Sequence, residues 1–219
     1  TASYQSSGNL VPIKCCYDYW WWLNVWRDSF QSYCSNGTPT YFVSVGSGGQ
    51  KTDPPYECES MHEHGRALDL TGANFTGHGY WWVANWGYDK KFTMGMEAGA
   101  HRLFRNVIGP FYDSNHGNHF HIDLTPPFTP GAPAFSAGSP SQVRFVQASL
   151  NYVWGLTVPI DNYDVHAPNH PAPTWTQQMR DYANGIAAYW GGASVPTNIE
   201  TNQAHWAAYC RTTFTHGTV

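Results

Sequence analysis

The chain has 219 residues, enough for one large domain or for one ordinary domain with a small companion, and either could bury a core of its own. Charged residues make up only 12%, and 11 Lys+Arg against 15 Asp+Glu leave a net charge of -4, so no basic surface for nucleic acid or anionic lipid is evident. With 16% aromatic residues the sequence carries too much apolar area to remain disordered.

The opening Thr-Ala-Ser-Tyr-Gln has neither a basic n-region nor an apolar h-region, so any export signal is expected to have been removed or never to have been part of this sequence. Cys15, Cys16, Cys34, Cys58 and Cys210 follow no CxxC spacing, which disfavours a thiolate zinc site and favours disulfides. A secreted or extracytoplasmic, oxidising location is therefore expected, with an odd thiol left over and the connectivity open. Residues 16–30 read as a helix: Tyr17, Trp20, Trp21, Asn24 and Asp28 recur at helical spacing, and Leu23, Trp26 and Phe30 form a second stripe that belongs in the core. Asp18 and Asn24 interrupt this apolar stretch, well short of the roughly 20 residues that a bilayer span needs.

Thr40 to Val45 reads as a strand that runs into the flexible Gly46-Ser-Gly-Gly49. Leu103, Phe104, Val107 and Ile108 give one helical face, stopped by Gly109-Pro110. Pro126 to Ser141, rich in Pro, Gly, Ala and Ser, reads as an extended linker. Beyond it, Val143, Val146, Leu150 and Val153 predict one helix, and Met179, Tyr182, Ile186 and Tyr189 another. Ser194 to Val219 is polar and weakly patterned, and Cys210 could tie it back through a disulfide. The expected organisation is an α+β domain over 1–125, a linker over 126–141, a small helical module over 142–195 and a tail over 196–219.

Two segments carry potential chemistry. If Arg66 to Thr71 is a strand, its period of two puts Leu68 and Leu70 on one face and Ala67, Asp69 and Thr71 on the other. In His116-Gly-Asn-His119-Phe-His121-Ile-Asp123-Leu124, the residues His119, His121 and Asp123 share one face, while Phe120, Ile122 and Leu124 share the inward one. Two imidazoles and one carboxylate form the ligand set of a catalytic zinc whose fourth position is open to water, and such a zinc suits amide hydrolysis.

The segment Ser60-x-His62-x-x-Gly65-x-Ala67-x-Asp69 resembles the S-x-H-x-x-G-x-A-x-D motif of the zinc D-Ala-D-Ala peptidases that act on peptidoglycan. Phe104-Arg-Asn-Val-Ile-Gly-Pro through His116-x-x-His119-Phe-His121-Ile-Asp-Leu124 resembles the extensin-like C-terminal domain, placed in the same superfamily as the lysostaphin-type and murein endopeptidases and the hedgehog signalling domain. Over residues 40–125 the resemblance implies a small antiparallel sheet with flanking helices carrying a zinc site. It implies zinc (Zn2+) on His62, Asp69 and His121, with His119 as general base or oxyanion stabiliser. The carboxypeptidase-type members place a catalytic Glu three residues before the last zinc His. Asn118 stands there instead and cannot take a proton from water, which points to the endopeptidase type.

Around that site, Glu63 and His64 read as rim residues or as partners of the ligands, with Glu63 an alternative carboxylate base. His116 would contact substrate or orient His119, Asp123 would orient a ligand His or simply end the strand, and Ser60 would cap the metal loop. Trp81, Trp82 and Trp86 could stack on sugar rings or belong to the core. Val143-Arg-Phe-Val146-Gln147-Ala-Ser-Leu150-Asn151 with Asp161 resembles the opening of the three-helix peptidoglycan-binding domain, although Asn162 replaces its usual Gly and the loop to Thr174 is stretched. The alternative is a plain helical appendage. The chain is thus expected to be an exported zinc metallopeptidase cleaving the peptide cross-link of peptidoglycan, whose stem peptide and glycan are its partners, with no membrane span. The alternatives are a D,D-carboxypeptidase and a catalytically inactive, zinc-stabilised wall- or carbohydrate-binding protein.

Overall fold

The computed structural model describes residues 3–6, 9–12, 15–46, 61–124, 134–161 and 173–219. β1 (Ser3–Ser6) and β2 (Asn9–Pro12) form an antiparallel hairpin that makes a sheet of its own. α1 (Tyr17–Tyr33) follows the helical spacing expected for 16–30: Tyr19, Leu23, Trp26 and Phe30 are buried while Tyr17, Trp20 and Trp21 face outward. Trp26 stacks on Phe42 of β3 (Tyr41–Gly46), with ring centroids 5.0 Å apart.

The main sheet is antiparallel and has the order β3-β4-β7-β6, with β4 (Ala67–Phe75), β6 (Asn106–Ile108) and β7 (Phe120–Asp123). β3 takes one edge of β4. The other edge is shared, with β7 on Ala67 to Leu70 and β5 (Gly79–Trp82) on Gly72 to Phe75. The expected alternation holds, since Leu68 and Leu70 are buried and Asp69 and Thr71 lie on the more open face.

α2 (Lys90–His101) is capped by Asp89, whose side chain accepts a hydrogen bond from the Phe92 amide. This corrects the helical reading of Leu103 to Ile108: the helix ends earlier, and Asn106–Ile108 forms β6 with Val107 opposite Ile122. Sheet pairing at Val107 overrides the apparent helical period. α3 (Pro140–Tyr152) and α4 (Gln177–Tyr189) occupy the two periodic segments, α3 starting with the last two residues of the expected linker. Residues 126–133 of that linker lie outside the described residues.

The segment read as a weakly patterned tail contains α5 (Gln203–Gly217), whose Trp206, Tyr209 and Phe214 are fully buried. Phe214 meets Phe30 of α1 edge-on at 5.0 Å, and one hydrophobic cluster runs from α1 and the sheet through α2 to α5. In α3, Gln147 donates to Asp161 and to the Thr174 carbonyl, both at 2.8 Å, and the Thr174 amide donates back to Asp161. The ends of the stretched loop are thereby tied together. Cys15, Cys16, Cys34 and Cys210 are free thiols, so the disulfides expected from the cysteine count are absent among the described residues, and Cys58 lies outside them. No described helix is long and apolar enough to cross a membrane.

Glu97 of α2 is buried beside His101, with 3.6 Å between the Glu97 carboxylate and His101 Nε2, and its Oε2 has no hydrogen-bond partner. Burial raises its pKa above the ordinary glutamate range, with the proximity and charge of His101 opposing. The folded state therefore binds a proton that the unfolded state has released, and this contribution to stability, complete below about pH 4.3, is lost as pH rises through the raised pKa. Glu97→Gln is expected to be the more stable protein at pH 8 and to lose that advantage near pH 4. Melting temperatures across this range check it, and a difference that does not vary with pH would refute it.

Candidate metal centre

His62 stands on the turn over 61–65, closed by hydrogen bonds from the Gly65 amide to the His62 carbonyl (3.0 Å) and from the Arg66 amide to the Met61 carbonyl (2.9 Å). Gly65 has φ +62°, and a Cβ there would lie 3.1 Å from the Cys15 backbone. The Cys16 amide donates to the Gly65 carbonyl at 2.9 Å, fixing the turn to the start of α1. Asp69 and His121 are opposite each other in the β4–β7 ladder, so their side chains leave the sheet as neighbours on the same face. The buried Tyr19 hydroxyl donates to the Ile122 carbonyl at 2.7 Å and ties β7 to α1.

The three side chains converge. Asp69 Oδ1 lies 3.1 Å from His121 Nδ1 and 3.2 Å from His62 Nε2, and the two nitrogens are 3.2 Å apart. Zinc bonded tetrahedrally at 2.0–2.1 Å holds neighbouring donors about 3.3 Å apart, so this triangle has the size and the donor set that such an ion takes. The remaining nitrogen of His121, Nε2, donates to Asp123 Oδ2 at 2.9 Å, and Asn106 Nδ2 donates to the same oxygen at 2.8 Å. With Nε2 so engaged, loss of the proton on Nδ1 would leave the tautomer whose Nδ1 lone pair faces Asp69 and His62. Asp123→Ala is expected to weaken zinc binding by about 10- to 100-fold, as loss of a partner that orients a ligand His commonly does. Competition against a chromophoric chelator measures it, and an unchanged affinity would remove Asp123 from the site.

The electrostatics are those of a carboxylate and an imidazole that hold each other in their charged forms. Burial pushes Asp69 up, but hydrogen bonds from His121 and His62 and the charges of His62 and His119 outweigh it and hold the carboxyl well below its usual range. Burial pushes His121 down, yet Asp123 and Asp69 outweigh it and raise its pKa to about 9. A divalent ion would take the place of the proton that this pair retains.

His119 lies at the edge of the cluster, its Nε2 3.8 Å from Asp69 Oδ1. Its Nδ1 donates to Asn118 Oδ1 at 2.8 Å, which turns the lone pair of Nε2 toward the cluster. Burial lowers the His119 pKa, with the Asp69 charge opposing and the neighbouring imidazoles reinforcing it. The His116 ring stands 5.0 Å from that of His119, held by Asp113 Oδ1 at 2.7 Å from Nδ1.

The structure therefore brings together His62, Asp69, His119, His121, Asp123 and His116. Glu63 and His64 are half-buried on the turn and do not belong to the three-residue cluster, and Ser60 lies outside the described residues. Trp81 is core, its indole N–H donating to Thr93 at 3.1 Å. Trp82 is exposed and stacks on Tyr80, and Trp86 packs on Phe111. Asn106, Asp113 and Tyr19 support the site without having been singled out from sequence. Asp113 had a local signal, an Asp three residues before a His at a helical turn, whereas Asn106 reaches Asp123 only through the β6–β7 register.

The family model for the C-terminus of extensin-like proteins matches residues 53–129. That stretch contains His62, Asp69, His116, His119, His121 and Asp123, so the resemblance to this family holds over the whole cluster. No curated protein and no solved structure matches the chain.

Proposed function

We propose that the chain is a secreted, zinc-dependent peptidoglycan hydrolase of the zinc D-Ala-D-Ala peptidase superfamily, cleaving an amide of the wall's peptide cross-link in the manner of a D,D-endopeptidase. The observation that carries this reading is the triangle of His62 Nε2, Asp69 Oδ1 and His121 Nδ1, with sides of 3.1 to 3.2 Å, beside a third imidazole, His119, whose Nε2 is free to accept a proton. His62, Asp69 and His121 would hold the ion. Zinc, when bound, supplies Lewis acidity toward the amide carbonyl and makes water acidic near pH 7.

The chain's own residues do the rest. Asp69 brings one negative charge to the site, and Asp123 keeps His121 in its ligating tautomer. His119, pinned by Asn118, accepts the proton of the attacking water on Nε2 and returns it to the departing amine. Once protonated, the same ring faces the oxyanion that develops on the former carbonyl. Asn118 accepts from His119 Nδ1–H, a positioning task that fits its standing where the carboxypeptidase pattern has Glu. Helices α3 to α5, if they bind wall, would raise the local concentration of substrate without adding an active-site contact.

The test is digestion of purified peptidoglycan by the intact protein and by His119→Ala, with and without chelator, the soluble fragments being read by mass spectrometry. The expected result is conversion of cross-linked dimers to monomers that is lost with chelator and falls by about 10²- to 10⁴-fold in His119→Ala. Release of free D-Ala alone would make the enzyme a carboxypeptidase. Stoichiometric zinc with no cleavage of any wall preparation would make it a metal-stabilised binding protein.

A further inference from the structure

α1, the end of α2, the loop over 191–194 and α5 enclose a cleft of about 680 Å³, within the range of small-ligand sites. It shares no residue with the metal cluster. One wall is indole: Trp21 and Trp22 meet edge to face at 4.7 Å and 89°, and Trp21 is 46% exposed. The other wall is cationic. Arg102 and Arg211 both line the cleft, and among the described residues no Asp or Glu does.

These two arginines differ from others in the chain. Arg27 pairs with Asp28 and Arg180 with Glu200, whereas among the described residues no carboxylate pairs with Arg102 or Arg211. Arg102 stacks its guanidinium 4.7 Å from the Tyr33 ring, and its Nη1 is buried without a hydrogen-bond partner. Arg211 donates from Nη2 to the Gly191 carbonyl, and its other donors make no hydrogen bond among the described residues. Burial pulls the Arg102 pKa below its usual value, with Tyr33 and Cys210 opposing and the nearby Arg211 adding to the shift.

A third donor completes the wall. His205 Nδ1 accepts from the Asn198 amide at 2.9 Å, so Nε2 carries the proton and donates to Ser194 Oγ at 2.9 Å. The Ser194 hydroxyl hydrogen is then left to point elsewhere, and Ser194 lines the cleft. Two guanidinium groups, a hydroxyl donor and no acceptor carboxylate select an anion, and the planar fork of arginine suits a carboxylate in particular. The exposed indole of Trp21 suits the face of a ring beside it.

We propose that this cleft binds a small organic acid built on a ring, the carboxylate held between Arg102 and Arg211 and the face of the ring lying against Trp21. The ring can be a sugar or an aromatic one, and the probes separate the two. Glucuronate and phenylacetate are titrated into the full chain by calorimetry and by tryptophan fluorescence, with glucose and phenylacetamide as neutral matches and inorganic phosphate as a bare anion.

The expected result is that at least one ring acid binds about tenfold or more tightly than its neutral match and than phosphate, with an affinity that falls as salt is added. Arg211→Gln and Arg102→Gln should each lose about tenfold or more of it. Arg102 is half-buried, so a variant that fails to fold is replaced in the argument by Arg211→Gln and by Trp21→Ala at an exposed position, both expected to weaken binding. Equal binding of acid and neutral match, binding of phosphate as tight as that of the ring acids, wild-type affinity in Arg211→Gln, or no binding of either acid at about 10 mM would each overturn the proposal.

Discussion

Asp69→Ala is expected to lose stoichiometric zinc and, with it, the thermal stabilisation that added zinc gives the intact protein. Asp69 is the only carboxylate in the three-residue cluster, and its Oδ1 is the atom that both ligating nitrogens face, at 3.1 and 3.2 Å. Without it two neutral imidazoles remain, and they cannot offset the charge of a divalent ion. An ion that binds the folded chain alone stabilises it by about 2.7 kcal/mol when present at 100 times its dissociation constant. For a chain of this length that is a rise in melting temperature of roughly 5 to 11 °C. The same zinc addition should leave Asp69→Ala unmoved, and metal analysis after dialysis should find it empty while the intact protein retains one ion. This readout does not depend on activity. A variant that keeps both its zinc and its thermal shift would mean that the ion sits elsewhere, and the proposed chemistry would lose its centre.

The second large effect is structural. α2 and α5 cross at Gly95 and Gly217 with backbone against backbone: a Cβ on Gly217 would lie 2.5 Å from Gly95 Cα and 2.8 Å from its nitrogen. A methyl group there has no flexible side chain to push aside, so the helices themselves must separate. Forcing volume into a packed contact typically costs about 1–3 kcal/mol. The helix-propensity gain of about 1 kcal/mol for Gly→Ala does not apply in full at Gly217, the last residue of α5. Gly217→Ala is therefore expected to destabilise by about 2 kcal/mol, a fall of roughly 4–8 °C in melting temperature. Gly185→Ala is the matched control, since it lies inside α4, is exposed and has nothing within 4 Å of the added Cβ. There the propensity gain stands alone, and the change should stabilise by up to about 1 kcal/mol. Equal effects at the two positions would show that the α2–α5 contact has slack.

That crossing also explains why part of the fold was hard to read from sequence. α1 and α4 each keep an exposed side, and α3, though buried from Ser141 to Leu150, sets Gln142, Arg144 and Gln147 between its apolar positions, so their apolar residues stand out at helical spacing. α2 is buried along nearly its whole length, and its Gly95 and Gly99 are contact points for α5 rather than signs of a loop, Gly99 meeting the Phe214 ring. α5 buries Thr212, Thr213 and His205 along with its aromatics, so it reads as polar although it is core. In both helices tertiary contact, and not periodicity, decides the structure. The expected disulfides failed for a related reason, since Cys34 and Cys210 are buried apolar side chains of the same cluster.

The cluster itself was more legible. Asp69 and His121 lie on strands whose period of two shows in the sequence, and the register that sets them opposite each other follows from burying Leu68, Leu70, Phe120 and Ile122. What could not be read locally is how those side chains are held. The hydrogen bond from Asn106 to Asp123 depends on the β6–β7 register, and the sequence of β6 has the spacing of a helix. Asn118 was noted for the Glu it replaces, but its role in turning His119 is visible only in three dimensions.

The three metal-facing residues are not held with equal firmness. Asp69 and His121 belong to a strand ladder with the core behind it, so exposing either requires opening the sheet. His62 hangs on the short turn over 61–65, held by its two internal hydrogen bonds and by the one from Cys16. Local opening starts where the fewest apolar contacts must be broken, and here that is the turn. The two strand residues thus form a standing seat, and His62 is the latch that closes on it. The residence time of an ion would be governed by the release of that turn, with the stability of the domain setting only an upper limit.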